Sequence, residues 1–300
     1  MATKHQQIKF AGMKIVRVIG GLGNQMFQYA FYMALKHNEP AETVRLDCSQ
    51  FHGYSVHNGL EINRVFGIEI NQASFIQLMK VTRPTYNYKS ACWLRRHGFR
   101  RNTEYIEGVS GYYYDEVLRM KGNMYFEGYW QNSKYFDSFA DEVRDAFRFK
   151  KPLEGNNLEV AHKEEINNSV GIHVRRGDFL NQAHLVGICE LPYYEKAICE
   201  IKNKVQNPEF FIYSNDIKWC EENLLPLIGD CGHTFVEGNT GGNSYVDMQL
   251  MSLCRHLIIA NSSFSWWGAY LNVNKDKIVI APSEWSHPFG DIQMPEWTLI

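Results

Sequence analysis

The chain has almost no net charge: 31 Lys and Arg against 33 Asp and Glu leave a formal charge of -2 over 300 residues. Without a global positive field it is not expected to bind nucleic acid, and any anion site has to be built locally. No Cys-x-x-Cys pair occurs among Cys48, Cys92, Cys189, Cys199, Cys220, Cys231 and Cys254. An odd, scattered set of this kind implies reduced thiols, with neither a disulfide framework nor a zinc site. Asp-x-Asp and His-Glu-x-x-His are both missing, so no metal is expected. No apolar run approaches the length of a membrane-spanning helix, and residues 1–12 are polar and lack a signal-peptide core. Since Met13-Lys14-Ile15-Val16 would itself make a natural start, the first dozen residues are read as an extension and set aside.

What is present is a globular composition, 45% hydrophobic, in a chain long enough for two domains of about 150 residues. The polar segment 150–168, with Pro152, Gly155 and paired asparagines, is the expected boundary, giving domains at 13–155 and 165–300. In the first half, a β-branched run at 14–19 leads through Gly20-Gly21-Leu22-Gly23 into a segment with Phe27, Ala30, Phe31 and Ala34 at helical spacing: strand, glycine turn, helix. Met26 replaces the third glycine of a dinucleotide fingerprint, so that reading is excluded. Aromatic clusters at 112–114 and 125–130 suit either a core or a sugar-stacking face.

The second half alternates regularly. Strands are expected at 169–174, 210–213, 233–236, 257–260 and 278–281, and helices at 193–204, 246–254 and 264–271, which implies a parallel, Rossmann-like sheet. Three strand ends carry polar chemistry. Val170-Gly171-Ile172-His173-Val174 runs into Arg175-Arg176-Gly177-Asp178, two guanidinium forks suited to phosphate at the carboxyl end of a buried strand. The other reading is a surface turn with a local Arg-Asp pair. Ser214-Asn215-Asp216 follows the second strand, with Asp216 placed equally well to cap the next helix or to accept from the N1-H and N2 amine of a guanine. Asn261-Ser262-Ser263-Phe264 opens a helix whose N-terminal N–H groups suit an anion, or where a serine simply caps.

His173-x-Arg175-Arg176-x-Asp178 resembles the signature of the α1,2-, α1,6- and protein O-fucosyltransferases. Three more runs are similar to the bacterial α1,2-fucosyltransferase family in particular: Gly20-Gly21-Leu22-Gly23-Asn24-Gln25-Met26-Phe27-Gln28-Tyr29-Ala30, Phe126-Glu127-Gly128-Tyr129-Trp130-Gln131, and Asn261-Ser262-Ser263-Phe264-Ser265-Trp266-Trp267-Gly268. The resemblance implies an α/β GT-B glycosyltransferase in which two Rossmann-like domains face a cleft, the N-terminal one on the acceptor side and the C-terminal one binding GDP-fucose. The activity it implies is metal-independent, inverting transfer of L-fucose from GDP-β-L-fucose to the 2-hydroxyl of a galactose-terminated acceptor, with no cofactor. An α1,6-fucosyltransferase, disfavoured by the glycine run and by Trp266-Trp267, and a catalytically silent GDP-sugar-binding protein are the alternatives.

By the same resemblance the donor is held by His173, Arg175, Arg176, Asp216, Ser262, Ser263 and Phe264. Gln25, Trp130 and Gln131 fall on the acceptor side, and Arg175, Asp178 and Asn24 at the reacting centre. Asp178 is the first candidate for general base, with orientation of an arginine and proton uptake by the leaving phosphate as alternatives. The α1,6 relatives associate a glutamate five residues beyond the motif Asp with that role, and this chain has Ala183 there. Asn24 is expected to reach the fucose or the scissile oxygen only when the two domains close. Animal relatives carry a membrane anchor, so the expected location is the bacterial cytoplasm. The segment 80–101 interleaves Lys80, Arg83, Lys89, Arg95, Arg96, Arg100 and Arg101 with Tyr86, Tyr88, Trp93 and Phe99 and contains no acidic residue. It reads as a solvated face or as a peripheral contact with an anionic inner membrane. A single-stranded nucleic-acid channel would look similar, but no second basic stripe supports it.

Overall fold

A computed structural model describes residues 12–85, 87–177, 182–288, 290 and 292–300. Two parallel sheets organise them. The first, in the order β2-β1-β4-β3, is made of β1 (Met13–Arg17), β2 (Thr43–Asp47), β3 (Glu104–Ile106) and β4 (Met124–Glu127). The second, in the order β10-β9-β8-β5-β6-β7, is made of β5 (Asn168–Val174), β6 (Pro208–Ser214), β7 (His233–Val236), β8 (His256–Ile258), β9 (Val279–Ala281) and β10 (Thr298–Leu299). This is the two-sheet α/β GT-B arrangement expected. Helices cover the sheets, which is why β1 and β5 are buried on both faces rather than alternating.

The strand order makes β5 the pivot of the second sheet. From β5 the chain proceeds through β6 to β7 on one side, then returns to lay β8 against the other flank. The connections after β5 and β8 therefore diverge, and the crevice between their carboxyl ends is where ligands enter folds of this kind.

The sheets are not separated by an open cleft along their whole length. Helix α1 (Leu22–Asn38), the crossover from β1 to β2, packs against the Ser263–Leu271 helix that follows β8, and one continuous apolar core runs through both. Phe27 lies 4.6 Å from Trp266 and 4.9 Å from Trp267 between ring centroids, and Phe136 stacks on Trp267 at 5.7 Å. All four rings are fully buried. Truncating any of them would cost about 3–5 kcal/mol, so this contact behaves as core.

Several elements differ from the sequence reading. Helix α1 begins at Leu22, two residues before the expected 24. The stretch expected as a linker at 150–168 contains the Asn156–Ile166 helix, whose Val160, Ala161 and Glu164 are buried. Its polar residues occupy the outer face, which hides a narrow apolar stripe from a composition count. β2 and β3 escaped notice because β2 carries Arg45 and Asp47 and β3 is three residues long. All seven cysteines are free thiols. Among the described residues no helix is long and apolar enough to cross a membrane.

Glu164 is an unusual core residue. Its Oε1 accepts from the Tyr213 hydroxyl and, at 3.2 Å, from Cys254 Sγ, while its buried Oε2 meets no partner among the described residues. Burial raises its pKa to about 8, the two hydrogen bonds opposing that shift. A carboxyl whose folded pKa lies above its unfolded value contributes stability below the unfolded pKa of about 4.3 that is lost as pH rises through 8. Urea unfolding at pH 5 and pH 8 should therefore show wild type losing more stability than Glu164→Gln over that interval. Parallel losses in the two proteins would mean that Glu164 is ionised in the fold.

Candidate active site

Three strand ends deliver the donor-side motifs next to one another. β5 stops at Val174 and turns into Arg175 and Arg176, with β6 on one flank and β8 on the other. Arg176 is tightly held: Nη1 lies 3.2 Å from Glu190 Oε2, Nε 3.5 Å from Asp216 Oδ2, and its Cζ 4.3 Å from the centre of the Trp219 ring. Its backbone N–H donates to Asn215 Oδ1 at 3.0 Å. Gly177 permits that contact, because its φ is +28° and a Cβ there would lie 2.4 Å from the Asn215 amide nitrogen. Asp216 also caps the Ile217–Asn223 helix through Trp219 N–H at 3.2 Å. The carboxylate expected to take guanine thus caps a helix through Oδ1 and pairs with Arg176 through Oδ2.

Arg175 and Arg176 line a narrow crevice together with Leu185, Val186, Cys189, Glu190 and Asn261. His173 is buried behind them, with its ring 5.7 Å from that of Phe264. Burial first, and then the charge of Arg175, push its pKa down to about 3, so the imidazole is neutral at ordinary pH and its role is hydrogen bonding or packing rather than charge. Its buried Nδ1 meets no partner among the described residues. Asp178 lies outside the described residues.

Opposite this crevice two helix N-termini converge. Ser262 caps the Ser263–Leu271 helix by accepting from Phe264 N–H at 3.3 Å. Ser263 Oγ donates to Asn24 Oδ1 at 2.9 Å, and Gln131 Nε2 donates to the same oxygen at 2.6 Å. With its carbonyl oxygen engaged from both sides, Asn24 is oriented so that Nδ2 remains as a donor. Trp267 Nε1 closes the contact by donating to the Gly23 carbonyl at 3.0 Å. Gly23 has to be glycine: a Cβ there would sit 2.6 Å from the Ser263 carbonyl carbon. Asn24 lies one turn inside α1, whose N-cap is Gly21, so it does not cap the helix. In this structure Asn24 already lies against Ser263, beside a buried aromatic contact between the two helices.

Two acceptor-side expectations change. Gln25 is wholly buried; its Nε2 donates to the Gly20 and Gly59 carbonyls, both at 2.8 Å, and its Oε1 accepts from Glu61 and Ile62 N–H. With all its hydrogen-bonding capacity used, it fastens the 59–62 loop and has none left for an acceptor. Trp130 is fully buried and stacks on Phe31 at 4.1 Å, so it belongs to the core; its neighbour Tyr129 is the exposed ring. Gln131 acts through Asn24. The sequence reading missed the carboxyl ends of the first sheet, where Glu127 Oε1 lies 2.7 Å from both Arg17 and Arg95, and Asp47 accepts from the Tyr125 hydroxyl at 2.8 Å. Alternating charged residues at the ends of short strands were its only signal.

The sequence pattern of glycosyl transferase family 11 matches residues 1–300. The chain belongs to this family. An α-1,2-colitosyltransferase of Escherichia coli is 33% identical over 283 residues, 90% of this chain and 91% of that protein. The O-antigen biosynthesis glycosyltransferase WbnK of Escherichia coli is 30% identical, covering 89% and 92%. Among solved structures, Arabidopsis thaliana FUT1 in complex with GDP aligns with a TM-score of 0.51 at 12% identity, over 93% of this chain and 72% of that one, a likeness of fold. Membership makes this family 11 chain a glycosyltransferase.

Glu107 was also missed, and it supports the Asn24 contact. Its carboxylate accepts from Tyr129 N–H at 2.6 Å and from Trp130 N–H at 3.2 Å, holding the turn in which Trp130 takes a φ of +55° and from which Gln131 reaches Asn24. Burial raises its pKa to about 7, with the N–H bonds pulling the other way. Protonation removes the charge that strengthens these bonds. Turnover should therefore decline as pH falls through about 7, and Glu107→Gln should be several-fold slower at pH 8 while losing that decline. A variant with the wild-type pH profile would detach Glu107 from the site.

Proposed function

We propose that this glycosyltransferase moves L-fucose from GDP-β-L-fucose, with inversion, to the 2-hydroxyl of a terminal galactose in a glycan or surface polysaccharide. The observation that carries the reading is the crevice at the β5/β8 switch point that Arg175 shares with Asn261, the residue before the Ser262-Ser263 helix start that bonds Asn24. Breaking a sugar–diphosphate bond develops negative charge on the departing GDP. Guanidinium and N–H donors fixed before the reaction stabilise that charge more in the transition state than in the ground state. Asn24, reaching from the other sheet, is assigned to the fucose or the scissile oxygen. The acceptor is assigned to the carboxyl ends of β1, β2 and β4, where Tyr54, Tyr88 and Tyr129 surround the Arg17–Glu127 pair. Asp178, directly after the Arg175-Arg176-Gly177 turn, is the proposed acceptor of the galactose hydroxyl proton.

A second donor has specific support. The relative at 33% identity is named a colitosyltransferase, and colitose is L-fucose without its 3-hydroxyl. Incubating the enzyme with GDP-fucose and GDP-colitose against a panel of galactosides, followed by linkage analysis, separates the readings. An α1,2-linked fucose on galactose is the expected product, and exclusive use of GDP-colitose would replace fucose with colitose.

Arg175→Ala should lower turnover by about a hundredfold or more, the loss typical of removing one fixed donor to a developing anion. Arg175→Lys should recover little, because a point charge does not reproduce the planar fork. Near-normal rates in either variant would remove Arg175 from the leaving-group site. Donor stabilisation by fixed protein groups also makes a divalent ion dispensable, so transfer should persist in excess EDTA. Complete loss on chelation, restored by manganese, would mean that a metal neutralises the diphosphate.

A further inference from the structure

The stretch from Ile70 to Thr103 contains no acidic residue but seven Lys and Arg, in a chain whose net charge is -2. The Phe75–Val81 and Tyr88–Arg96 helices anchor it through their inner faces: Leu78, Val81 and Ala91 are buried, the first two in a small core with Met13, Ile15 and Tyr125 of the first sheet. Arg95 also turns inward, to Glu127 and Gln50. The other six cations, Lys80, Arg83, Lys89, Arg96, Arg100 and Arg101, are all exposed.

Among them lie large apolar side chains that the fold leaves in solvent: Ile76 at 69% exposure, Trp93 at 54%, Met79 at 49%, Phe75 at 44% and Phe99 at 42%. The two helices form one surface, because Arg101 bonds the Met79 carbonyl, Thr103 Oγ1 donates to the Val81 carbonyl at 2.6 Å, and the Arg83 guanidinium lies 5.1 Å from the Phe99 ring centre. Trp93 stacks on His97 and Phe99 within it.

We propose that this face docks on the surface of an anionic lipid bilayer, with Ile76, Met79, Trp93 and Phe99 entering the headgroup boundary and the six cations pairing with lipid phosphates. Cations alone would suit any polyanion. Aliphatic Ile76 and Met79 gain nothing from a nucleic acid, whereas a bilayer offers both an apolar layer and a negative plane, and helices of seven and nine residues are suited to lying in the interface. The site lies away from the donor crevice and does not depend on which sugar is transferred.

The full chain should sediment with vesicles containing 30% phosphatidylglycerol, much less with pure phosphatidylcholine, and binding should weaken with salt. Arg96→Glu with Arg100→Glu should reduce the partition coefficient more than tenfold, since each cation near such a surface contributes about fivefold. Ile76→Ser with Trp93→Ser leaves the charge unchanged and should also reduce it more than tenfold. All four positions are exposed, so both double variants should melt within a few degrees of wild type. Failure of the wild-type chain to sediment with anionic vesicles at low salt overturns the proposal. So does loss of binding in the charge variant with full retention in the apolar one, which would indicate a nonspecific polyanion site.

Discussion

The site depends on the meeting of two helix N-termini at Gly23 and Ser263. One helix belongs to the crossover of the first sheet, and the other follows β8 of the second. Their ends can approach only because one residue has no side chain, and they stay together because Trp267 donates across the gap and Phe27, Phe136 and Trp266 fill the space behind. Each helix end carries partial positive charge and N–H groups lacking intrahelical partners. Bringing two of them together would be unfavourable without that apolar backing, and it leaves a cavity rim that favours an anion.

Around this contact the polar side chains form a relay of support. Glu107 holds the 129–130 backbone, Gln131 extends from that turn to Asn24, and Asn24 in turn accepts from Ser263. On the donor side Glu190, Asp216 and Trp219 fix Arg176. These groups were ordered by folding, so little reorganisation is left for the reaction step. Glu107 therefore reaches Asn24 only through the 129–131 turn.

The two sheets divide the chemistry unequally. The six-stranded sheet, through its switch point, offers a narrow crevice with fixed cations, suited to a constant leaving group. The four-stranded sheet ends in Arg17, Asp47 and Glu127, with Tyr125 bonded to Asp47, a polar surface of mixed charge. The basic and apolar face built from residues 75–101 is mounted on this four-stranded sheet, through Leu78 and Val81 against Met13, Ile15 and Tyr125.

The sequence by itself determined the fold class, nearly every strand of the second sheet and the clustering of donor motifs, because buried parallel strands are continuous apolar runs and their polar ends fall at fixed positions just beyond them. It also singled out Asn24, which the structure sets against Ser263 of the helix that follows β8. Only the tertiary structure decided the fates of Gln25, Trp130 and Asp216. Polar and aromatic residues of one motif look alike in sequence, and what separates a buried fastener or core ring from an exposed residue is packing against segments tens of residues away, as Gln25 meets Gly59 and Glu61 and Trp130 meets Phe31. Glu107 stayed hidden for the same reason: a lone glutamate has no periodicity, and its importance arises from the two backbone N–H groups that folding brings to it.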